Sequence, residues 1–101
     1  MTTETEHLLA VLAEELGEVQ KHCHKAIRFG LDDRDPTIED SLPERELITL
    51  EMHDVYAALE MLSERGLVRM STSRTAIDAK KMKVLKFMEY ARRAGALAEA
   101  E

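Results

Sequence analysis

Apolar positions recur at steps of three and four residues in three stretches of the chain, and no stretch shows the two-residue alternation of a half-buried strand. The first stretch predicts a helix from about Glu4 to Phe29, with Leu8, Leu12, Leu16, Val19, Cys23 and Ile27 as its inner stripe. Thr3 and Glu6 have capping-box spacing at its start, and Gly30 fits a C-terminal stop. A polar loop, LDDRDPTIED, follows, with Pro36 and five acids. Ser41 and Glu44 then have the spacing of a second capping box, with Pro43 in the first turn, where its missing N–H matters least. The central helix repeats Leu47, Leu50, Val55, Ala58, Leu59 and Leu62, and stops near Arg65, before Gly66. The last helix starts from an N-cap at Thr72 or Ser73 and runs to about Ala94, just before Gly95. Its inner face is Ile77, Val84, Leu85, Met88 and Ala91. Residues 96–101 read as a frayed tail. The fold class is all-α: one domain over residues 1–101, built as a bundle of three main helices.

Charged residues interrupt these apolar faces in an informative way. Glu51 has Leu47 one turn before it and Val55 one turn after, and Asp54 has Leu50 and Ala58. Glu15 falls between Val11 and Val19, and Glu18 at the edge of the same stripe. An amphipathic surface helix keeps its acids on the opposite side. Burying an unpaired carboxylate costs several kcal/mol, roughly, unless a partner or a metal compensates. Each pair, Glu15 with Glu18 and Glu51 with Asp54, has i, i+3 spacing and shares one helix face. Antiparallel packing of the two helices would bring the four carboxylates together. Four hard oxygen donors suit Mg²⁺ or Mn²⁺. The central helix is apolar well beyond one stripe, through Ile48, Met52, Tyr56 and Leu59. Three helices in one short chain can hardly cover it, so the bundle is expected to be completed by oligomerisation, most simply as a homodimer. The first helix adds a flat strip at Ala10, Ala13 and Gly17 where another helix could approach closely.

Bulk composition narrows the classes. The chain has 101 residues, 45% of them hydrophobic, with six Met and few aromatics, which suits a helical core. A net charge of −6 argues against nucleic acid as a partner, because phosphate neutralisation needs a basic face. No apolar run approaches membrane-spanning length, and the acidic N-terminus is unlike a secretory signal. Cys23 is the single cysteine, which suits a reducing cytoplasm.

The segments LAEELGEVQKHCHKAIRFG and LEMHDVYAALEML together resemble the MazG-like, all-α nucleotide pyrophosphohydrolases, whose signature is ExxE on one helix and ExxD on the next. Both halves are present, as Glu15-Leu-Gly-Glu18 and Glu51-Met-His-Asp54. The KAIRFG ending of the first helix and the lysine-rich AKKMKVLKFM look like the small, single-domain, phage-type members. The resemblance spans roughly residues 8–90. It implies Mg²⁺-dependent hydrolysis of a nucleoside triphosphate to the monophosphate and pyrophosphate, with Glu15, Glu18, Glu51 and Asp54 as metal ligands and catalytic carboxylates. It further implies attack of a metal-held water on the α-phosphorus, assembly as dimers or tetramers, and basic residues facing the triphosphate.

Candidates for the basic role are Lys81, which interrupts the apolar face of the last helix between Ile77 and Leu85, its neighbours Lys80 and Lys83, and Lys25 and Arg28. Against them stand a solvent-seeking lysine stem and a basic last turn that complements the helix dipole. His22, one turn after Glu18 on the same side, is placed to support the metal ligands but reads as half-exposed; His24 and His53 point away from the acid faces; Glu14 reads as solvated, with contact to a second metal as the alternative; and Cys23 reads as a small core residue. A di-iron carboxylate protein would need Glu-x-x-His pairs on core helices, and the chain has that spacing at Glu4 to His7, at a terminus. The alternative of a different class is a non-catalytic helical interaction module whose acids hold a structural divalent cation. Base and sugar specificity leave no readable trace in residues 31–40.

Overall fold

In a computed structural model, residues 1–99 and 101 are described, and they form three α-helices without a strand among them. These are α1, Glu4–Phe29, α2, Glu44–Glu64, and α3, Arg74–Arg93. The chain divides into two compact units, Met1–Met70 and Ser71–Glu101.

In the first unit α1 begins as its sequence predicts. The Thr3 hydroxyl accepts from the Glu6 N–H at 3.1 Å, satisfying one donor of the first turn, and donates to the Glu6 carboxylate at 3.2 Å. The start of α2 differs from expectation. Its N-cap is Pro43, with no side-chain cap. Carbonyls of the preceding loop do the work instead: Glu44 N–H donates to Asp33 at 3.1 Å and Arg45 N–H to Leu31 at 2.9 Å. Ser41 is no capping residue, because its hydroxyl is spent within the loop, donating to the Asp35 carbonyl at 3.0 Å. Asp35 in turn accepts from the Thr37 N–H and hydroxyl at 2.9 and 2.6 Å, a local turn that orders the acidic loop.

The two helices run antiparallel as an αα-hairpin. Arg65, just past the end of α2, meets Glu4 at the start of α1 at 2.6 Å, while Arg45 at the start of α2 meets Asp32 just past α1 at 2.7 Å. Both pairs are exposed and contribute little stability by themselves, but they mark the register. Along that register the core is small: Leu8, Val55, Ala58 and Leu62 are buried, with Val11, Leu12, Val19, Ala26, Leu47, Ile48, Met52 and Leu59 half-buried around them.

The face that α1 presents to the core departs from the expected stripe. Leu16 is 50% and Ile27 80% exposed, and Cys23 is exposed rather than a core residue. A line built from successive four-residue steps drifts by about 40° per step around a helix, so the stripe through Leu12, Leu16, Cys23 and Ile27 winds off the contact. A partner helix follows steps averaging near 3.5. The covered line is therefore Leu8, Val11, Leu12, Glu15, Glu18, Val19, His22 and Ala26.

The second unit contains α3, with Ser73 as N-cap, its hydroxyl accepting from the Ala76 N–H at 3.2 Å. None of the helix's residues is buried. The expected inner face holds in part: Met88 and Ala91 are half-buried, but Ile77, Val84 and Leu85 are exposed. Helices α2 and α3 end alike. Gly66 and Gly95, at φ 72° and 76°, let the next N–H turn back onto the last turn, from Leu67 to Leu62 and from Ala96 to Ala91. Within the tail of 96–101, where fraying is expected, Ala96 and Leu97 both donate to the Ala91 carbonyl. Ala100, in that tail, lies outside the described residues.

Candidate metal centre

The antiparallel register sets the ExxE turn of α1 against the ExxD turn of α2. Carboxylate oxygens of Glu15, Glu51 and Asp54 lie within 4.8 Å of one another. One turn along, donor atoms of Glu18, His22 and Glu51 form a second group within the same limit. Glu51 belongs to both. All four acids expected from the sequence are thus brought together by two helices of one unit. Glu15 and Glu51 are half-buried, as their apolar flanks suggest, and so is Glu18 at the edge of the stripe. Asp54 is exposed instead of lying within the apolar face, because Leu50, its neighbour one turn back, is also left at the margin of the contact.

The electrostatic consequence appears at Glu15. Loss of surrounding water, then the charges of Asp54 and Glu51, with smaller contributions from Glu14 and Glu18, raise its carboxyl above the ordinary 4.5. A divalent cation would reverse the charge part of that effect. The first group, all oxygen, has the donor chemistry that a hard divalent ion requires. Among cations of the chain, Lys21 reaches Glu18 at 3.4 Å, an exposed pair of little weight.

His22 is the residue that sequence reasoning misplaced. It is 7% exposed rather than half-exposed, and its Nδ1 is 2.7 Å from Oε2 of Glu44, itself 5% exposed. Its Nε2 lies 4.0 Å from Oε1 of Glu51. Glu44, read in the sequence as part of a capping box, opens α2 and turns inward to this histidine. The signal that could have found both is spacing: His22 lies seven residues after Glu15, and Glu44 seven before Glu51, two turns along the same faces.

His22 and Glu44 also line a cavity of about 430 Å³ between the hairpin and the acidic loop, together with Lys21, Lys25, Asp35 and Leu47. Lys25 is half-buried there and helps lower the Asp35 carboxyl, though hydrogen bonds from Thr37 do more. Arg28 is exposed and stacks its guanidinium 4.8 Å from the ring centre of Phe29, away from that lining. Glu14, His24 and His53 are exposed, as expected. Lys80, Lys81 and Lys83 belong to the second unit and are all exposed; Lys80 and Lys81 border a shallow apolar groove with Val84 and Leu85.

No helix of the described residues is long and apolar enough to cross a membrane. Compared with models of known protein families, with curated proteins and with solved structures, the chain matches none.

Proposed function

We propose that this protein is a Mg²⁺-dependent nucleoside triphosphate pyrophosphohydrolase of the MazG-like kind, with Mn²⁺ as an alternative ion. The observation that carries the reading is the convergence of Glu15, Glu51 and Asp54, with Glu18 beside them, at the crossing of the two signature turns. Side chains so placed fit a hard cation and leave room for substrate oxygens on the exposed Asp54 side.

When bound, a divalent ion supplies Lewis-acid polarisation of a phosphate and lowers the pKa of a water enough to make it a nucleophile at neutral pH. The chain's own residues do the rest. Glu15, Glu18, Glu51 and Asp54 hold the ion and fix its position on two rigid helices. One carboxylate of the cluster accepts the proton of the attacking water. The bond between the α-phosphorus and the oxygen leading to the β-phosphorus then breaks, and pyrophosphate leaves. Lys25, in the neighbouring cavity, supplies positive charge for the substrate's phosphates. Lys80, Lys81, Lys83 and Arg28 are further candidates for that role, to be separated by single alanine substitutions.

The reading includes a homo-oligomer, a dimer or a dimer of dimers. Its support is the apolar surface left on each helix of the protomer, at Leu16, Ile27, Leu50, Tyr56, Val84 and Leu85. A reducing cytoplasm is the setting proposed from the lone Cys23.

The test is a panel of nucleoside and deoxynucleoside triphosphates with Mg²⁺ or Mn²⁺, assayed for pyrophosphate. Release by the parent protein, reduced about 100-fold or more in Glu51→Gln and Asp54→Ala, supports the reading. Cation-dependent stabilisation with no pyrophosphate from any member of the panel would replace the enzyme with a structural cation-binding module.

A further inference from the structure

The acids of the signature do not account for the buried pair His22 and Glu44. Glu44 is a carboxylate sealed at the first residue of α2, and its Oε2 approaches His22 Nδ1 to 2.7 Å. Where the Glu44 carboxylate is the acceptor, the ring proton of this contact sits on Nδ1. Among the described residues Nε2 has no hydrogen-bond partner, and it faces Glu51 Oε1 at 4.0 Å. Donor atoms of Glu18, His22 and Glu51 lie within 4.8 Å of one another. A lone pair on Nε2 turned toward a carboxylate is repulsive, and a cation held between them removes that repulsion, as a proton on Nε2 would.

A carboxylate that fixes the tautomer of a histidine while the second nitrogen faces further acids is the outer-shell arrangement of a histidine metal ligand. Ligand atoms adjacent on an octahedral ion with bonds of about 2.1 Å are about 3 Å apart, and those opposite one another about 4.2 Å. The 4.0 Å between Nε2 and Oε1 falls within that span. We propose that Glu18, His22 and Glu51 form a second cation site, distinct in chemistry from the all-oxygen group. An imidazole nitrogen beside two carboxylates selects a first-row divalent transition ion, such as Mn²⁺ or Zn²⁺, over Mg²⁺. Glu51 is common to the two groups and would be available to an ion in either, while Glu18 would serve the second ion when that site is filled. Glu44 is a positioning residue that orients the ring.

This inference rests on the reading of the acid cluster as a cation site, yet its test does not depend on turnover. The full-length protein is loaded with two equivalents of Mn²⁺ and examined by electron spin-echo modulation. The expected result is ¹⁴N coupling from one directly bound imidazole, present in the parent and in His24→Gln and lost in His22→Gln. Coupling that is absent, or that persists in His22→Gln, overturns the proposal. Because His22 is buried, a measurement on the parent stands beside the variant. With ¹⁵N-labelled histidine and Zn²⁺, one of the four histidines should show a shifted Nε2 resonance with its proton retained on Nδ1. If none of the four shifts on adding Zn²⁺, His22 is no ligand and the proposal falls. Glu44→Gln should weaken Zn²⁺ binding about 10- to 100-fold and leave Mg²⁺ affinity within about twofold. Equal weakening of both ions also overturns the assignment. Pyrophosphate release with Mg²⁺ and no ¹⁴N coupling would sink this proposal alone, whereas ¹⁴N coupling with no release would sink the enzyme.

Discussion

Glu15 carries the electrostatic cost of the site. Its carboxyl is raised chiefly by desolvation and by Asp54 and Glu51, so the folded, cation-free protein binds a proton more readily than the unfolded chain does. Its contribution to stability is therefore full below about 4.5 and declines as pH rises through the raised value. In chelator, Glu15→Gln should melt higher than the parent at pH 7, with the gap closing toward pH 4; equal melting curves across that range would refute the repulsion. Saturating Mg²⁺ should reverse the order at pH 7, since the variant lacks a ligand. The meeting of the four acids was legible because Glu15, Glu51 and Asp54 sit between apolar neighbours one turn away, which is unusual for a solvated charge, and Glu18 follows Glu15 at i, i+3. The burial of His22 and its contact with Glu44 were not. A histidine after an acid has many ordinary uses, and Glu44 stood three residues after a serine, a spacing with a simpler local meaning.

Helix ends were legible to within a residue or two because caps are local chemistry. Thr3, Gly30, Gly66, Ser73 and Gly95 act where their side chains or backbones permit. The start of α2 was the exception, since its cap comes from carbonyls of residues 31 and 33, whose position depends on tertiary structure. Gly66 holds φ 72°, and a Cβ there would meet nothing within 4 Å, so the penalty in Gly66→Ala is purely conformational. It should cost about 1–2 kcal/mol in urea unfolding. Leu62, fully buried at the last turn of α2, should cost roughly 2–5 kcal/mol when cut to alanine. A Leu62→Ala change as mild as Gly66→Ala would mean that the small core is not where the hairpin's stability lies. Helix rotation was less legible than helix extent. Leu16 and Glu15 are adjacent, and a one-residue shift of the stripe decides which is covered.

At the scale of the molecule, each unit leaves large apolar side chains exposed, Leu16, Ile27, Leu50 and Tyr56 in the first and Val84, Leu85 and Phe87 in the second. The wide apolar surface of the second helix was legible from its sequence; a partner for it was not, because a surface for another chain carries no periodic mark of its own. On the proposed reading, the 11.5 kDa chain should elute with light-scattering mass of a dimer or tetramer at micromolar concentration. Leu16→Glu should shift it toward monomer without loss of helical circular dichroism. A parent protein that is monomeric at 100 µM, roughly where weak dimers with Kd in the µM range would be saturated, would leave that surface unexplained. The hairpin also bears on the order of events during folding. Its two helices are joined by residues 30–43 of the same chain, and closing a loop of about ten residues takes well under a microsecond. The acids therefore meet within one chain and need no encounter with another. On the proposed reading, cation affinity would belong to each polypeptide alone, so even a dilute, monomeric population would sequester metal.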